Sequence, residues 1–362
     1  MKDSLLAKIL ATLSWCCVLA LWGCALSTFV HPPEWFKPLS LLGLGFPFAV
    51  AATVGMGLVS LLFKPRVALI ALVGLVGCFG TLRDYCPVNL SSPPPKGALK
   101  LVSYNTLSLK AWAQDTDGQL LLPKQVMKLR PDIVCFQEVF SYYKEKQQQL
   151  HREVRRYGYH VAADTTQLNQ LTCISRYPIA RIDTIFNQNA NGAAAFYLVL
   201  APQDTLCVIN MHLASMGLTD EELVTYEQIV RNPEFADDAK GKKNILRKIS
   251  NASYDRCHQA DIVAAYIDRL QGRKLVVMGD MNDTPVSYTH HTICSRLTDV
   301  FRATGNGIGR SFHKNAVYVR IDHAFCSDHF KPFAAQIDHS LSLSDHYPLV
   351  FYLKPLKSVK AW

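Results

Sequence analysis

The sequence predicts an α/β (α+β) chain in two parts: a bundle of apolar helices, then two packed sheets covered by helices. Two observations carry this expectation. Long uncharged apolar runs crowd into the first 85 residues. After residue 97, helix-favouring stretches alternate with short, apolar, strand-like runs. Such mixed alternation implies sheet packed on sheet under a helical cover. The chain has 362 residues, 49% of them hydrophobic and 19% charged, which suits two domains and excludes disorder for its bulk. Its 11 cysteines form no CxxC and no Cys/His cluster of zinc spacing. Most read as small buried hydrophobes.

Residues 9–30, 38–63 and 67–82 contain no Asp, Glu, Lys or Arg. A bilayer span needs roughly 20 apolar residues. The first two runs have 22 and 26 residues, and the third has 16. Arg66 and Arg83 at the ends of the third can snorkel. A cleaved signal peptide would be followed by a polar chain, not by a second apolar run. Residues 1–85 are therefore expected to form three transmembrane helices, with two helices plus a re-entrant segment as the alternative. Three spans put the termini on opposite sides. The full count does not decide the orientation, since Lys2, Lys8, Lys64 and Arg66 would face Lys37, Arg83, Lys96 and Lys100, but the two lysines before the first span and the tight Lys64-Pro65-Arg66 turn favour an N-terminus in the cytosol. The expectation is a multi-pass integral membrane protein with its catalytic domain on the extracytoplasmic side.

Residues 86–97 read CPVNLSSPPPKG. Three consecutive prolines favour a semi-rigid polyproline II linker. Seven of the 38 Lys/Arg and three of the 29 Asp/Glu precede Gly97, so the remainder carries a net charge of +5. That mild excess suits an anionic substrate or surface without establishing one.

The second domain is expected over 98–356. Strand-like runs fall at 101–104, 132–136, 159–163, 171–175, 180–186, 194–200, 205–211, 274–278, 321–326 and 349–353. Helical patterns fall at 121–130, stopped by Pro131, and at 141–156, 220–230 and 242–270.

Several strands end in a polar residue that a core would not accommodate. Asn105, Glu138, His212, Asp280, Asp322 and the pair Asp345-His346 each follow an apolar or Ser-bounded run, and Asn282 lies two residues beyond Asp280. Sheet proteins place chemistry at strand ends, where loops converge on one rim. Any one of these could be a turn residue, but so many together form a pattern. The set is rich in oxygen donors and poor in imidazole, which suits Mg²⁺ or Mn²⁺ better than zinc. Such ions act on phosphate esters, and two histidines add donors or a general acid. The residues thus read as a divalent-metal-dependent phosphoesterase.

The ordered strings SYN, FQE, NMHL, GDMN, RIDH and SDH resemble the endonuclease/exonuclease/phosphatase superfamily (deoxyribonuclease I-like) over about residues 98–354. The resemblance implies a four-layer α/β sandwich. It implies Glu138 as principal metal ligand, with Asn105 and Asp345 contributing to the metal site. It implies Asp280 as the group that aligns or deprotonates the attacking water, with Asn282 holding Asp280 or a phosphate oxygen. His212 and His346 would face the phosphate, with Asp322 orienting the His346 ring. One departure stands out: abasic endonucleases place an acidic residue two positions after the first-strand Asn, where this chain has Leu107.

Weaker signals remain. Arg176 could meet a phosphate, although a structural arginine at a strand–turn junction is the better reading. Lys240, Lys242, Lys243, Arg247 and Lys248 form either a solvated helix face or a contact for anionic lipid or nucleic acid. The stretch 310–315 (RSFHKN) falls where the family varies, and His290, His291 and His313 more often are ordinary surface histidines. Three phosphoester substrates compete: nucleic acid, phospholipid and phosphometabolite. The membrane is the other expected partner, and no obligate protein partner is inferred. A catalytically inactive, membrane-tethered binding module is the alternative of a different class.

Overall fold

A computed structural model describes residues 5–107, 113–140, 144–164, 169–188, 190–231, 239–314 and 319–356. The apolar start of the chain folds into α1 (Leu5–Leu26), α2 (Phe46–Phe63), α3 (Pro65–Gly77) and α4 (Phe79–Tyr85). The first three helices pack on one another. Small residues let them approach: a Cβ on Gly74 of α3 would clash with Val18 of α1, and Trp22 Nε1 donates to Gly74 O at 2.9 Å. Leu5, Ile9, Leu62, Phe63 and Leu72 face outward, as side chains in contact with lipid would.

Two helical stretches, Leu5–Phe29 and Glu34–Phe63, are long and apolar enough to cross a membrane. The third apolar run is not one straight helix: α3 and α4 meet at a 64° bend. The second run is divided as well. A 3-10 segment, Glu34–Gly45, breaks helical geometry at Phe36 and carries Pro38, and the α-helix begins only at Phe46.

The second domain contains α5 (Leu121–Lys128), α6 (Lys144–Arg156), α7 (Asp220–Arg231), α8 (Ala239–Arg269), α9 (Tyr288–Cys294) and α10 (Val300–Thr304). Its strands are β1 (Leu99–Asn105), β2 (Ile133–Phe140), β3 (His160–Ala163), β4 (Asn169–Ser175), β5 (Ile179–Gln188) and β6 (Asn191–Ala201). They continue with β7 (Asp204–His212), β8 (Lys274–Asp280), β9 (Thr298–Asp299), β10 (Asp322–Cys326), β11 (Phe330–Ile337) and β12 (Leu349–Pro355). Residues 141–143, the start of one expected helix, lie outside the described residues.

One six-stranded sheet runs β11-β12-β1-β2-β4-β3, and the other β5-β6-β7-β8-β10-β9. The pairs β1/β2 and β7/β8 are parallel, and their neighbours are antiparallel. The apolar runs are continuous because both faces of each sheet are covered. On β8, Val276 and Met278 point into the core between the sheets, with Leu101, Phe196 and Phe351. Leu275 and Val277 point the other way, against Val263 and Ile267 of α8. On the far side, Val102, Val134 and Phe136 pack under Val126 of α5 and Leu150 and Val154 of α6. Helix, sheet, sheet, helix gives the four layers.

The helical region and the sandwich are joined by specific contacts. Arg320, fully buried, donates to Asp84 O and to Ile308 O, and stacks its guanidinium on Phe301. Arg302 Nε lies 2.8 Å from Asp84 Oδ1. Val286 is buried with Leu21, Ala25, Phe46 and Cys78 of the apolar helices.

Candidate active site

Strand register builds one half of the site. His212 on β7 is the lateral partner of Asp280 on β8, and Asp280 is the partner of Asp322 on β10. Three adjacent strands therefore set three functional groups in one row. Gly279 makes the approach possible: at φ 149°, a Cβ there would run into Met211 O.

The other sheet supplies Asn105 and Glu138. Between Phe136 and Val139 the β2/β4 register slips by one residue, a bulge that contains Glu138. Glu138 takes φ 57°, and Asn282 takes φ 51°. Left-handed backbone at non-glycine residues is strained by about 1–3 kcal/mol and concentrates at functional sites. A bulge re-aims a side chain that regular pleating would send elsewhere.

The groups converge closely. Asn105 Nδ2 donates to Glu138 Oε1 at 3.1 Å and to Asp280 Oδ2 at 2.9 Å. His212 Nε2 lies 3.4 Å from Glu138 Oε1 and 3.8 Å from Asp280 Oδ2. His346 Nδ1 lies 2.8 Å from Asp322 Oδ2, and its Nε2 is 3.6 Å from Asp280 Oδ2. Asn282 backbone N–H donates to Asp280 Oδ1 at 2.8 Å, while its side-chain amide donates to Leu213 O at 3.0 Å. Asn282 thus holds Asp280 with its backbone and the loop after β7 with its side chain.

Burial dominates the electrostatics. It raises the Asp280 carboxyl to about 6, with His346 and His212 opposing and Asp322 adding to the rise. For His346 burial disfavours the charged ring, but Asp322 and Asp280 outweigh it and push the imidazole up to about 10. His212 is buried, and among the described residues neither of its ring nitrogens has a hydrogen-bond partner. Asp322 Oδ1 is likewise unpartnered. Buried polar atoms are nearly always satisfied, so these are positions for a ligand to complete. Asp280, Asp322 and His346 each offer a ligand atom within 4.8 Å of the others. With the carboxylate of Glu138 alongside, the donor chemistry fits a hard divalent cation.

Two sequence-derived candidates are placed differently. Asp345 turns its carboxylate toward Lys314 Nζ at 3.9 Å and Ser344 Oγ at 3.4 Å. Ser344 in turn donates to Asn105 O at 2.8 Å, so Asp345 borders the site. Arg176 is away from it. Ser175 pairs with Ile133, the first residue of β2, whereas Glu138 lies near the last. Arg176 Nε donates to Pro131 O at 3.2 Å and to Tyr159 Oη at 3.3 Å, and lies 3.6 Å from Asp132. It braces the opposite rim, the structural role that its position at a strand–turn junction favours.

The structure adds supports that the residue pattern left unassigned. Gln137 Nε2 donates to Asn210 Oδ1 at 2.7 Å, and Asn210 Nδ2 to Phe136 O at 2.9 Å, which ties the two sheets beneath the site. Ser311 Oγ accepts from the N–H of Ile321 and of Asp322 at 3.0 and 3.1 Å. Phe312 packs edge-on against His346. Arg256 of α8 donates to Ala214 O at 2.8 Å and reaches Asp283 Oδ2 at 3.3 Å. The signal for Ser311 and Phe312 was the stretch at 310–315, whose residue 315 lies outside the described residues. Arg256 sits inside a helical pattern and gave none.

Against known proteins, a profile described as the Endonuclease/Exonuclease/phosphatase family matches residues 102–346. This chain belongs to the endonuclease/exonuclease/phosphatase family. The general activity of that family, hydrolysis of phosphoester bonds, comes with membership. A second profile, described as a domain of unknown function, matches residues 7–85. None of the curated proteins matches the chain. Among solved structures, an endonuclease/exonuclease/phosphatase from Bacteroides vulgatus is 16% identical, with a TM-score of 0.50 over 72% of this chain and all of that one. An endonuclease/exonuclease/phosphatase from Beutenbergia cavernae is 18% identical, with a TM-score of 0.50 over 71% of this chain and 72% of that one. At these identities the likeness speaks for the shared fold of two mixed sheets flanked by helices.

Proposed function

We propose that this protein is a membrane-anchored, divalent-metal-dependent phosphoesterase acting on phosphoesters presented at a membrane surface. The observation that carries the chemistry is the row His212–Asp280–Asp322, completed by Glu138 from the other sheet and by His346 from the stretch before β12. Glu138 and Asn105 would hold a Mg²⁺ or Mn²⁺, which would supply charge neutralisation for the phosphoryl oxygens. The chain's own residues do the rest. Asp280, oriented by Asn105 and the Asn282 N–H, aligns a water and takes its proton. Asp322 holds His346 with Nδ1–H donating and Nε2 facing the reacting centre. His346 and His212 then donate to phosphoryl oxygens, where fixed donors favour the transition state.

Membrane anchoring rests on chain parity. The loop after α1 touches the sandwich: His31 Nε2 is 3.5 Å from Asp261, and Ser253 Oγ donates to Ser40 O at 3.5 Å. The linker after α4 touches it too, through Asn89 Nδ2 donating to Gly305 O at 2.6 Å. If α1 crosses a bilayer, both contacts must lie on one side, so an even number of crossings separates them. This supports α2 and the bent α3–α4 pair as the second and third spans. Charge alone is balanced, with Lys2, Lys8, Lys64 and Arg66 on one side and Lys37, Arg83, Lys96 and Lys100 on the other; the two lysines before the first span and the tight Lys64-Pro65-Arg66 turn are what favour the extracytoplasmic side.

The site is close to the apolar helices. Val286, buried among Leu21, Phe46 and Cys78, is four residues from Asn282, at most about 14 Å of chain. That favours a phospholipid or another amphiphilic phosphoester over free nucleic acid. The test is the full-length protein in lipid nanodiscs with Mg²⁺ or Mn²⁺, offered DNA, RNA, phospholipids and inositol phosphates. Turnover of a lipid phosphoester, abolished by EDTA, is expected. Preference for soluble DNA or RNA would contradict the substrate class, and full activity in EDTA the metal mechanism.

A further inference from the structure

A second group of metal-ligating side chains lies outside the active site. His31 sits in the loop between α1 and the 3-10 segment, and His258 and Asp261 lie on α8. Spacing of three on a helix puts His258 and Asp261 on one face. Each of the three offers a ligand atom within 4.8 Å of the others. His31 Nε2 is 3.5 Å from Asp261 Oδ2, close to the separation of about 3.4 Å between two ligands of a tetrahedral zinc ion. The His31 and His258 rings are 4.7 Å apart, centroid to centroid.

The surroundings are those of a prepared ligand set. Tyr288 Oη donates to Asp261 Oδ1 at 2.9 Å, which orients the carboxylate and leaves Oδ2 facing His31. Outer hydrogen bonds of this kind fix the first ligands of metal sites. Tyr254 and Tyr288 pack edge-on against His31, and Tyr254 packs edge-on against His258. The side chains remain reachable from solvent, with His31 30% and Asp261 42% exposed.

We propose that His31, His258 and Asp261 form a second metal site, for Zn²⁺ or a cation of its class, that clamps the loop after α1 to α8. Two imidazoles and one carboxylate are borderline donors that prefer zinc to Mg²⁺ or Ca²⁺. Three protein ligands leave a fourth position for water. The clamp joins two segments far apart in sequence. On α8, Arg256 and Gln259 lie beside these ligands and hold Ala214, two residues beyond His212. The metal would therefore fix the angle between the apolar helices and the helix that supports the catalytic rim. The site does not depend on the catalytic reading.

The test uses full-length protein in detergent, stripped with EDTA, dialysed and titrated with Co²⁺ and then Zn²⁺. Wild type should show the visible bands of four-coordinate Co²⁺, bleached by Zn²⁺. The oxygen-rich active site gives only weak six-coordinate absorption, so the two are distinguishable. His258 is exposed, so its replacement does not disturb the core. His258→Ala should remove the bands and weaken Zn²⁺ binding on the order of 100-fold. His258→Cys should retain binding and add a thiolate-to-cobalt band in the near ultraviolet. Bands absent from wild type, or unchanged in His258→Ala, would overturn the site.

Discussion

The Asp280–Asp322–His346 cluster is buried, with strand register setting Asp280 beside Asp322 and the stretch before β12 adding His346, whereas His31–His258–Asp261 is half-exposed and built by a loop meeting a helix. The same residue types behave differently in the two places. In the buried cluster, burial moves Asp280 up to about 6, while Asp322 and Asp280 overcome burial and move His346 up to about 10. Neighbouring strands also hold the groups without any side chain needing to adjust. Such an arrangement suits chemistry, which needs fixed donors and tuned proton affinity. The exposed cluster joins two segments instead, and a ligand that draws them together stabilises their contact.

Substitutions in the buried cluster should cost most. Asp280→Asn removes the base and should lower kcat by about 10⁴-fold, measured as phosphate-ester turnover at saturating Mg²⁺. Glu138→Gln keeps shape and removes charge. It should lower kcat/KM by about 10³-fold and weaken Mn²⁺ binding read by calorimetry; undiminished Mn²⁺ affinity would remove Glu138 from the metal site.

Asp322→Asn should give a milder loss, on the order of 10–100-fold in kcat, and a changed pH profile. The His346 cation persists below its folded value and is lost as pH rises through about 10. Its raised value likewise contributes stability that is complete below the unfolded value, near 6.5, and is lost toward about 10. Without Asp322 that value falls, so the alkaline limb of kcat should move to lower pH. An unmoved limb would separate Asp322 from His346. Smallest of all, Arg176→Ala and His258→Ala should each keep kcat within about two-fold, Arg176 because it braces the far rim and His258 because its role is outside the reaction.

Legibility in the sequence followed the same division. His212 and Asp280 were readable because a polar residue closing an apolar run has no place in a core, whereas Asp322 opens its strand and becomes their neighbour through register. The bulge at Glu138 was not readable, since one extra residue leaves no mark on the apolar pattern. Strand β11 escaped notice because Pro332 disrupts it, which only an edge strand tolerates. The bend between α3 and α4 was hidden inside an uninterrupted apolar run. His31 and His258 carry no common spacing, so only the packing of the 3-10 segment and α8 brings their segments together.

The central claim is that the strand-end groups act as one catalytic unit on a phosphoester. A double-mutant cycle on kcat tests it most directly, comparing wild type, His346→Ala, Asp322→Asn and the double variant on one substrate with saturating Mg²⁺. If Asp322 works through His346, His346→Ala should lower kcat by about 10³-fold and the double variant should be little worse. Losses that add in full would mean that Asp322 acts elsewhere, and the pairing of Asp322 with His346 would be wrong.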